Sequence, residues 1–530
     1  MGFGGSRGRG HPVERRVPLD AYAVQVRHPS IKSRLRFLTA LALVPCLTGC
    51  FASPGGESSG GGPSGPRLRV ALAFPPAENF SPYGADATLL SRLGVTEGLT
   101  ALDANGAAAP ALARSWRRED DRTWRFTLRE ATFQDGTDVT PAAVAAALTH
   151  ATKARPAPTA LAGVTLSAEP DGDSGVRVTT AAPDPVLPMR LAGPSLAILS
   201  PKAYGRKGGR PGAPTPVGTA TGPFEITEVN GGASATLDRH DDYWGGLAHA
   251  SGIDARFVKD GTARANAVRT GDVDIAEAIP AAQATTLDKP TLKEAGTTRT
   301  TSLQLNTRTG PFKDPALRAA ARTAIDSSAL VKGVFEGYAD PGIGLFGPAV
   351  TWAGSKRVKP AGRAKAVRPD GASITLATYD NRPELPEVAQ VVQQRLQKAG
   401  FAVKLEVREY SRLESDALAG KFDAFIGARN SLLDTGDPVG VLGSDYTCDG
   451  GYNLARLCDK KVDRAVAEAV RTDGTGERQD AAMAAEAAIL ATDAVVPLAH
   501  QQIVAGVSTE VRGVVLDPYE RALVSTGTRR

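Results

Sequence analysis

A chain of 530 residues with 42% hydrophobic and 22% charged side chains is too long for one core, so two or three packed domains are expected. Its formal charge of +5 would suit a nucleic-acid or membrane-surface partner. However, residues 1–36 hold eight basic side chains against two acidic ones, and residues 37–49 hold none, so the remainder sits near −1 and gives no case for nucleic-acid binding.

The chain opens on a leader. Lys32, Arg34 and Arg36 precede an uncharged, mostly apolar run from Phe37 to Leu47, which is too short to span a bilayer. The run ends in Leu47-Thr48-Gly49-Cys50, which resembles a bacterial lipobox, in which the Cys receives diacylglycerol before cleavage. The stretch ahead of Lys32 is long for a signal, and a start at Val24 or Val26 would give an ordinary length. Residues 53–66 are rich in Gly, Ser and Pro and bury no apolar area, so they read as a flexible tether. Cys46 departs with the signal and Cys50 is acylated, which leaves Cys448 and Cys458. In an oxidising compartment these two are expected to bridge, adding roughly 3 kcal/mol by loop entropy. A zinc site is the weaker alternative, because there is no Cys-x-x-Cys and the histidines are scattered.

The body reads as alternating strands and helices. Leu68–Phe74 is a first strand, and Leu89–Leu99 a helix. Trp124, Phe126 and Leu128 alternate with polar residues and predict a half-buried strand. Asp135-Gly136 then turns, and Thr140-Pro141 caps and opens a helix with apolar Val144 and Leu148. Val176–Thr180 is a strand and Pro188–Ala192 a helical turn. Phe224 begins a strand pair that returns at Ala235–Leu237, and Asp242-Tyr243-Trp244-Gly245-Gly246 follows. Ala263–Thr270 is a helix and Gly271–Ala276 a strand. Leu303–Thr307 is another strand, and Asp314-Pro315 leads a helix to Asp326. Ile374–Thr378, a helix over Pro386–Ala399 closed by Gly400, and Val403–Val407 suggest a parallel sheet. Lys421–Gly427 is a strand, Val462–Val470 and Arg478–Leu490 are helices, and Val495–Ala499 is a last strand.

Several of these pieces carry a resemblance. Trp-x-Phe-x-Leu-Arg, then Phe-x-Asp-Gly-Thr and a Thr-Pro-Ala helix start, is similar to the best-preserved segment of the family 5 extracellular solute-binding proteins. These are the oligopeptide, dipeptide and nickel receptors of ABC importers. Ala143 departs from that pattern, standing where an acidic residue is usual. Pro110–Trp116, Thr221-Gly-Pro-Phe224, Asp242–Gly246, Gly271–Ile275 and Asp314–Asp326 resemble further family segments in the same order, with Ala220 interrupting one of them.

The resemblance implies a two-lobed α/β periplasmic-binding-protein type II fold (cluster C). Mixed sheets are flanked by helices, and the first lobe carries an extra subdomain. The implied boundaries are a signal with lipobox at 1–49 and a tether at 50–66. Residues 67–98, 218–305 and 495–530 make the first-lobe core, 99–217 the extra subdomain and 306–494 the second lobe. Leu303–Thr307 would take the position of a crossing between lobes, and Asn306 on it is a candidate ligand-binding residue, with Asp434, Asp437, Tyr446, Asp449, Tyr452 and Asn453 further along.

The informative polar cluster follows the strand at Lys421–Gly427, where α/β sheets place ligands. It runs from Arg429 through Asp434 and Asp437 to Asp445, Tyr446, Asp449, Tyr452 and Asn453. In peptide receptors of the family an acidic residue in such a loop pairs with the peptide's α-amino group. Asp434 and Asp437 are the candidates, because a charge-assisted bond in a closed cleft is strong. The bland alternative is that Asp437-Pro438 only starts a turn and Asp434 is solvated.

No cofactor and no resident metal are expected. Gly342-Ile-Gly-Leu-Phe-Gly347 spells a dinucleotide fingerprint, but flanking prolines at 341 and 348 leave it neither a strand before nor a helix after. From residue 67 onward the sequence has no His-Glu-x-x-His and no Gly-x-Ser-x-Gly. The expected protein is a monomeric, non-enzymatic lipoprotein on the extracytoplasmic face of the membrane. It would capture a short peptide by hinge closure and deliver it to ABC permease subunits. A receptor for a nickel chelate or another non-peptide solute is the alternative within the class. A ligand-sensing lipoprotein and an exported hydrolase using His150 or His500 are alternatives outside it.

Overall fold

The computed structural model describes residues 65–103, 106–155, 157–161, 164–207, 210–211 and 214–530. The leader, Cys50 and nearly all of the tether lie outside the described residues.

One mixed sheet runs through most of the described chain. At one end Leu68–Leu72 pairs in parallel with Gly252–Phe257 and Ile275–Ala276, and the hairpin Phe224–Asn230/Ser234–Arg239 extends the edge. At the other end Ser373–Tyr379 pairs in parallel with Ala402–Arg408 and Ala424–Asn430. Two long antiparallel strands, Leu292–Leu305 and Val495–Val507, join the halves. Their ladder is interrupted between Gly296 and Thr300. At about 3.3 Å per residue, the longer one reaches roughly 45 Å.

Each half buries its own apolar set. Leu68, Val70, Leu72, Phe224, Leu237 and Ile253 form one core. Leu303, Leu305, Leu376 and Ile426 form the other, with the helix Glu384–Lys398 laid against them. That helix buries Leu385, Val388, Ala389, Val392 and Leu396, the three- and four-residue spacing of one helical face. Full burial of each large aliphatic side chain is worth about 1.5–3 kcal/mol. Gly400, at φ 106, closes the helix as expected.

A separate four-stranded sheet contains the Trp124 strand (Thr123–Leu128), with Phe126 fully buried. Asp135 accepts from the Thr137 amide at 3.0 Å, and Gly136 turns at φ 77. Thr140 caps the helix Pro141–Lys153 by accepting from the Ala143 amide at 3.2 Å. A fourth core gathers the helices Pro438–Tyr446, Lys460–Arg471 and Thr475–Ala491. We keep the lobe and subdomain boundaries given above as our proposed division of the chain. No helix among the described residues is long and apolar enough to cross a membrane.

Local expectations differ at several places, among them the strands expected at 421–427 and 495–499, which span Ala424–Asn430 and Val495–Val507. The first helix spans Asp86–Arg92 rather than 89–99. Gly94 takes φ 68, and its open side faces the Phe224 ring, where a Cβ would come within 3.2 Å. The strand at 271–276 pairs only at Ile275–Ala276, because the Asp274 carboxylate, not a main-chain carbonyl, accepts from the Arg69 amide at 2.8 Å. The strand expected at 303–307 begins at Leu292 and ends at Leu305. A three-residue strand, Ala339–Pro341, does precede Gly342, but the next helix starts only at Ala353. The glycines there serve packing: a Cβ on Gly347 would meet the His500 ring at 2.6 Å.

Candidate binding site

In both halves the parallel strands end facing the same gap. Residues that follow Leu68–Leu72, Gly252–Phe257 and Ile275–Ala276 line a cavity of about 270 Å³, and so do residues that follow Ser373–Tyr379. Ligands of open α/β sheets bind at such carboxyl ends. The joining strands supply Arg299 and Gln501 to its wall. Arg299 grips Glu520 with two hydrogen bonds of 2.9 and 2.8 Å. Burial alone would raise the Glu520 carboxyl, but the charge and bonds of Arg299 outweigh it and hold it at about 2. Arg92 pairs with Glu277, and Gln501 donates to Glu384 at 2.9 Å.

Beyond this cavity, the strand Ala424–Asn430 delivers Arg429 to its carboxyl end. The Arg429 Nε lies 3.2 Å from the Asp445 carboxylate, and its Nη2 lies 3.7 Å from Asp434. Its guanidinium stands 5.0 Å from the centre of the Tyr452 ring. Asp445 is buried; burial raises its carboxyl, and Arg429 offsets part of that. Thr159 donates to the Asp434 Oδ1 at 2.7 Å from 275 residues away. Arg521 donates to the Leu432 carbonyl at 2.9 Å, and burial pushes its guanidinium down to about 10. The Tyr452 hydroxyl bonds that of Tyr410, whose ring meets Tyr379 edge-on at 4.9 Å. The Tyr379 hydroxyl accepts from the Ala428 amide at 3.2 Å, and Arg299 donates to the Ala428 carbonyl at 3.4 Å. The tyrosines thus connect the Arg429 cluster to the cavity.

The candidate residues fall into two groups. Asp434 and Tyr452 meet around Arg429, and buried Tyr446 lies next to Asp445, with its hydroxyl 3.3 Å from the Gln304 amide. The others are placed differently. Both carboxylate oxygens of Asp437 are bound to Arg478, at 3.0 and 2.7 Å, and the pair is buried. Asn453 is bonded to Thr447 and Leu457 within its own loop. Asn306 donates to Thr309, Gly420 and Phe422 and accepts from two amides, which shapes a turn. Asp449 is exposed. Cys448 and Cys458 form a disulfide that closes the loop carrying Tyr452.

Arg429 and Asp445 belong to the polar cluster after the strand at Lys421–Gly427, though neither is among the candidate ligand residues read from the sequence. The available signal was a lone cation ending an otherwise apolar strand. Arg299, Arg521 and Glu520 gave no local signal.

The two histidines considered for hydrolysis are engaged elsewhere. His150 stacks on Tyr204 at 4.0 Å. His500 is 1% exposed and bonds Thr300 at 2.9 Å, and burial with the nearby Arg357 charge pushes it down to about 4. Charged, hydrogen-bonding groups around a gap can hold a polar solute.

The sequence pattern of the bacterial extracellular solute-binding proteins, family 5 Middle, matches residues 107–453. The chain belongs to this family. It is 29% identical over 467 residues to the glutathione-binding protein GsiB of Escherichia coli strain K12, an alignment covering 83% of this chain and 90% of GsiB. Among solved structures it is similar to NikA from Brucella suis in complex with Fe(III)-EDTA, with a TM-score of 0.75, 23% identity, and 87% of this chain and 99% of that one covered. NikA from Staphylococcus aureus in complex with Ni(L-His)2 gives 0.73 and 20%, over 88% and 99%. DppA from Helicobacter pylori in complex with the peptide STSA gives 0.71 and 20%, over 87% and 98%. The fold is that of a type II periplasmic binding protein. As a family 5 member, the chain is an extracytoplasmic solute-binding component of an ABC importer.

Proposed function

We propose that the solute is a short peptide, captured between two lobes that close about the joining strands, with its α-amino group on Asp434. The arrangement of Arg429, Asp434 and Asp445 at one strand end carries this reading. Asp434 also accepts from Thr159, a residue 275 positions away in the chain. An ammonium group there would take the place of the Thr159 hydroxyl and gain a charge-assisted bond. Arg429 would offer a cation to a carboxylate or main-chain carbonyl of the same solute. GsiB, named for glutathione, and DppA, solved with a peptide, lend support by similarity.

Hydrogen bonds to charged groups contribute about 1.5–3 kcal/mol, roughly ten- to a hundredfold in affinity. Asp434→Asn should therefore weaken free-amine tripeptides by that factor in calorimetric titration, while leaving N-acetylated ones unchanged. Equal losses for both peptide types would remove Asp434 from the role.

An amino-acid chelate of a metal is the second reading, supported by the likeness to NikA with Ni(L-His)2. It presents the same amine and carboxylate chemistry, and mass spectrometry of the ligand carried on purification separates the two. We further propose that diacylglycerol on Cys50 holds the protein, as a monomer, beside its permease.

A further inference from the structure

The cavity at the facing strand ends has a feature that amine recognition does not use. Phe74, two residues past the strand Leu68–Leu72, lines it and is 45% exposed. Ile279 and Phe335 line it from opposite halves of the molecule. Several charges of its wall pair with one another: Arg92 with Glu277, Arg299 with Glu520, and Arg382 with Glu384 at 3.7 Å, while Lys259, Glu336 and Glu387 lie exposed along it. A charged solute group placed against Arg92–Glu277 or Arg299–Glu520 would have to displace one of these pairs. The apolar faces have no such competitor.

The wall is also held in costly conformations. Ala278, Glu336 and Glu520 all line the cavity, and all take left-handed backbone angles, at φ 47, 50 and 59. Non-glycine residues persist there only where the surroundings impose it, and such sites concentrate at ligand clamps. Arg264 imposes it at Ala278, donating to the carbonyls of Glu277 at 2.9 Å, Ala278 at 2.5 Å and Val258 at 2.7 Å.

We propose that this cavity seats one apolar or aromatic side chain of the bound solute, with Phe74 as one wall; the assignment rests on the peptide reading above. Its volume of about 270 Å³ lies below the roughly 300–1,000 Å³ of pockets that take a whole drug-sized ligand, so it takes a part of the solute. The link from Arg299 to the Ala428 carbonyl, beside Arg429, sets that part next to the polar cluster.

The test uses the full chain and four tripeptides: Ala-Ala-Ala and the three versions with one Ala replaced by Phe. At least one Phe peptide should bind about tenfold tighter than Ala-Ala-Ala, the scale of an added apolar group in a pocket. In Phe74→Ser that preference, taken relative to Ala-Ala-Ala on the same variant, should fall below about threefold. No preference in the parent protein, or a preference that survives Phe74→Ser, overturns the seat. Fluorescence of anilinonaphthalene sulfonate without peptide separates the two readings. If no tripeptide binds, the peptide reading falls. The apolar seat then stands if the dye signal is lost in Phe74→Ser, and falls if the signal is unchanged.

Discussion

Asp434 and Asp437 stand three residues apart with the same functional group, and only their surroundings separate them. Asp434 is half-buried beside Arg429 and Thr159. Asp437 is enclosed with Arg478, which comes from 41 residues further along. Nothing local in Asp-Thr-Gly-Asp-Pro distinguishes a cleft acid from an internal ion pair, so both were reasonable candidates from the sequence. The structure turns that difference into opposite expectations. Asp437→Ala would leave the buried Arg478 without its counter-charge, a class of change that costs about 3–5 kcal/mol. Arg478 keeps its bonds to the Ala469, Val470 and Thr472 carbonyls, which favours the lower end, about 3 kcal/mol. Urea unfolding should register that loss while the folded fraction binds solute normally. A stability change under about 1 kcal/mol would mean the pair is not the anchor it looks like.

Among the elements, the strand–turn–helix from Trp124 onward was the most legible, because everything that makes it is local. Alternation gives the strand, Asp135-Gly136 the turn, and Thr140-Pro141 the cap. The joining strands were the least legible. The outer part of Leu292–Leu305 is rich in Thr, Lys and Glu, and the two strands are held by each other, 200 residues apart at Thr300 and His500, rather than by their own pattern. His500 makes these strands sensitive to acid. Its folded-state value is about 4 against an ordinary 6.5, so below pH 6.5 the unfolded chain takes up a proton that the folded chain refuses. The stability it contributes is full above pH 6.5 and is lost as pH falls through 4, by up to about 3 kcal/mol. Unfolding curves at pH 7 and 4.5 should converge for His500→Gln relative to the parent. Parallel pH profiles for the two proteins would rule this account out.

For the molecule as a whole, the order of motifs along the chain was the informative signal, since each piece alone reads as ordinary core. The site was only partly legible because it is assembled from distant segments: Arg299 and Glu520, 221 residues apart, meet in one cavity. The proposed anchor is also a whole-molecule property. Lipid on one cysteine would set where the entire body works. Cys50→Ser should move the protein from the membrane fraction to the medium without changing solute affinity. Unchanged partition of the variant would leave the anchor without support.

The interruption between Gly296 and Thr300 has a mechanical meaning. A continuous ladder resists twisting because each rung must stretch, whereas a gap in the rungs concentrates torsion in the few residues it contains. If the halves swivel when solute arrives, that gap spares the ladder between the two long strands, and hydrogen exchange at 297–299 should be the first to change.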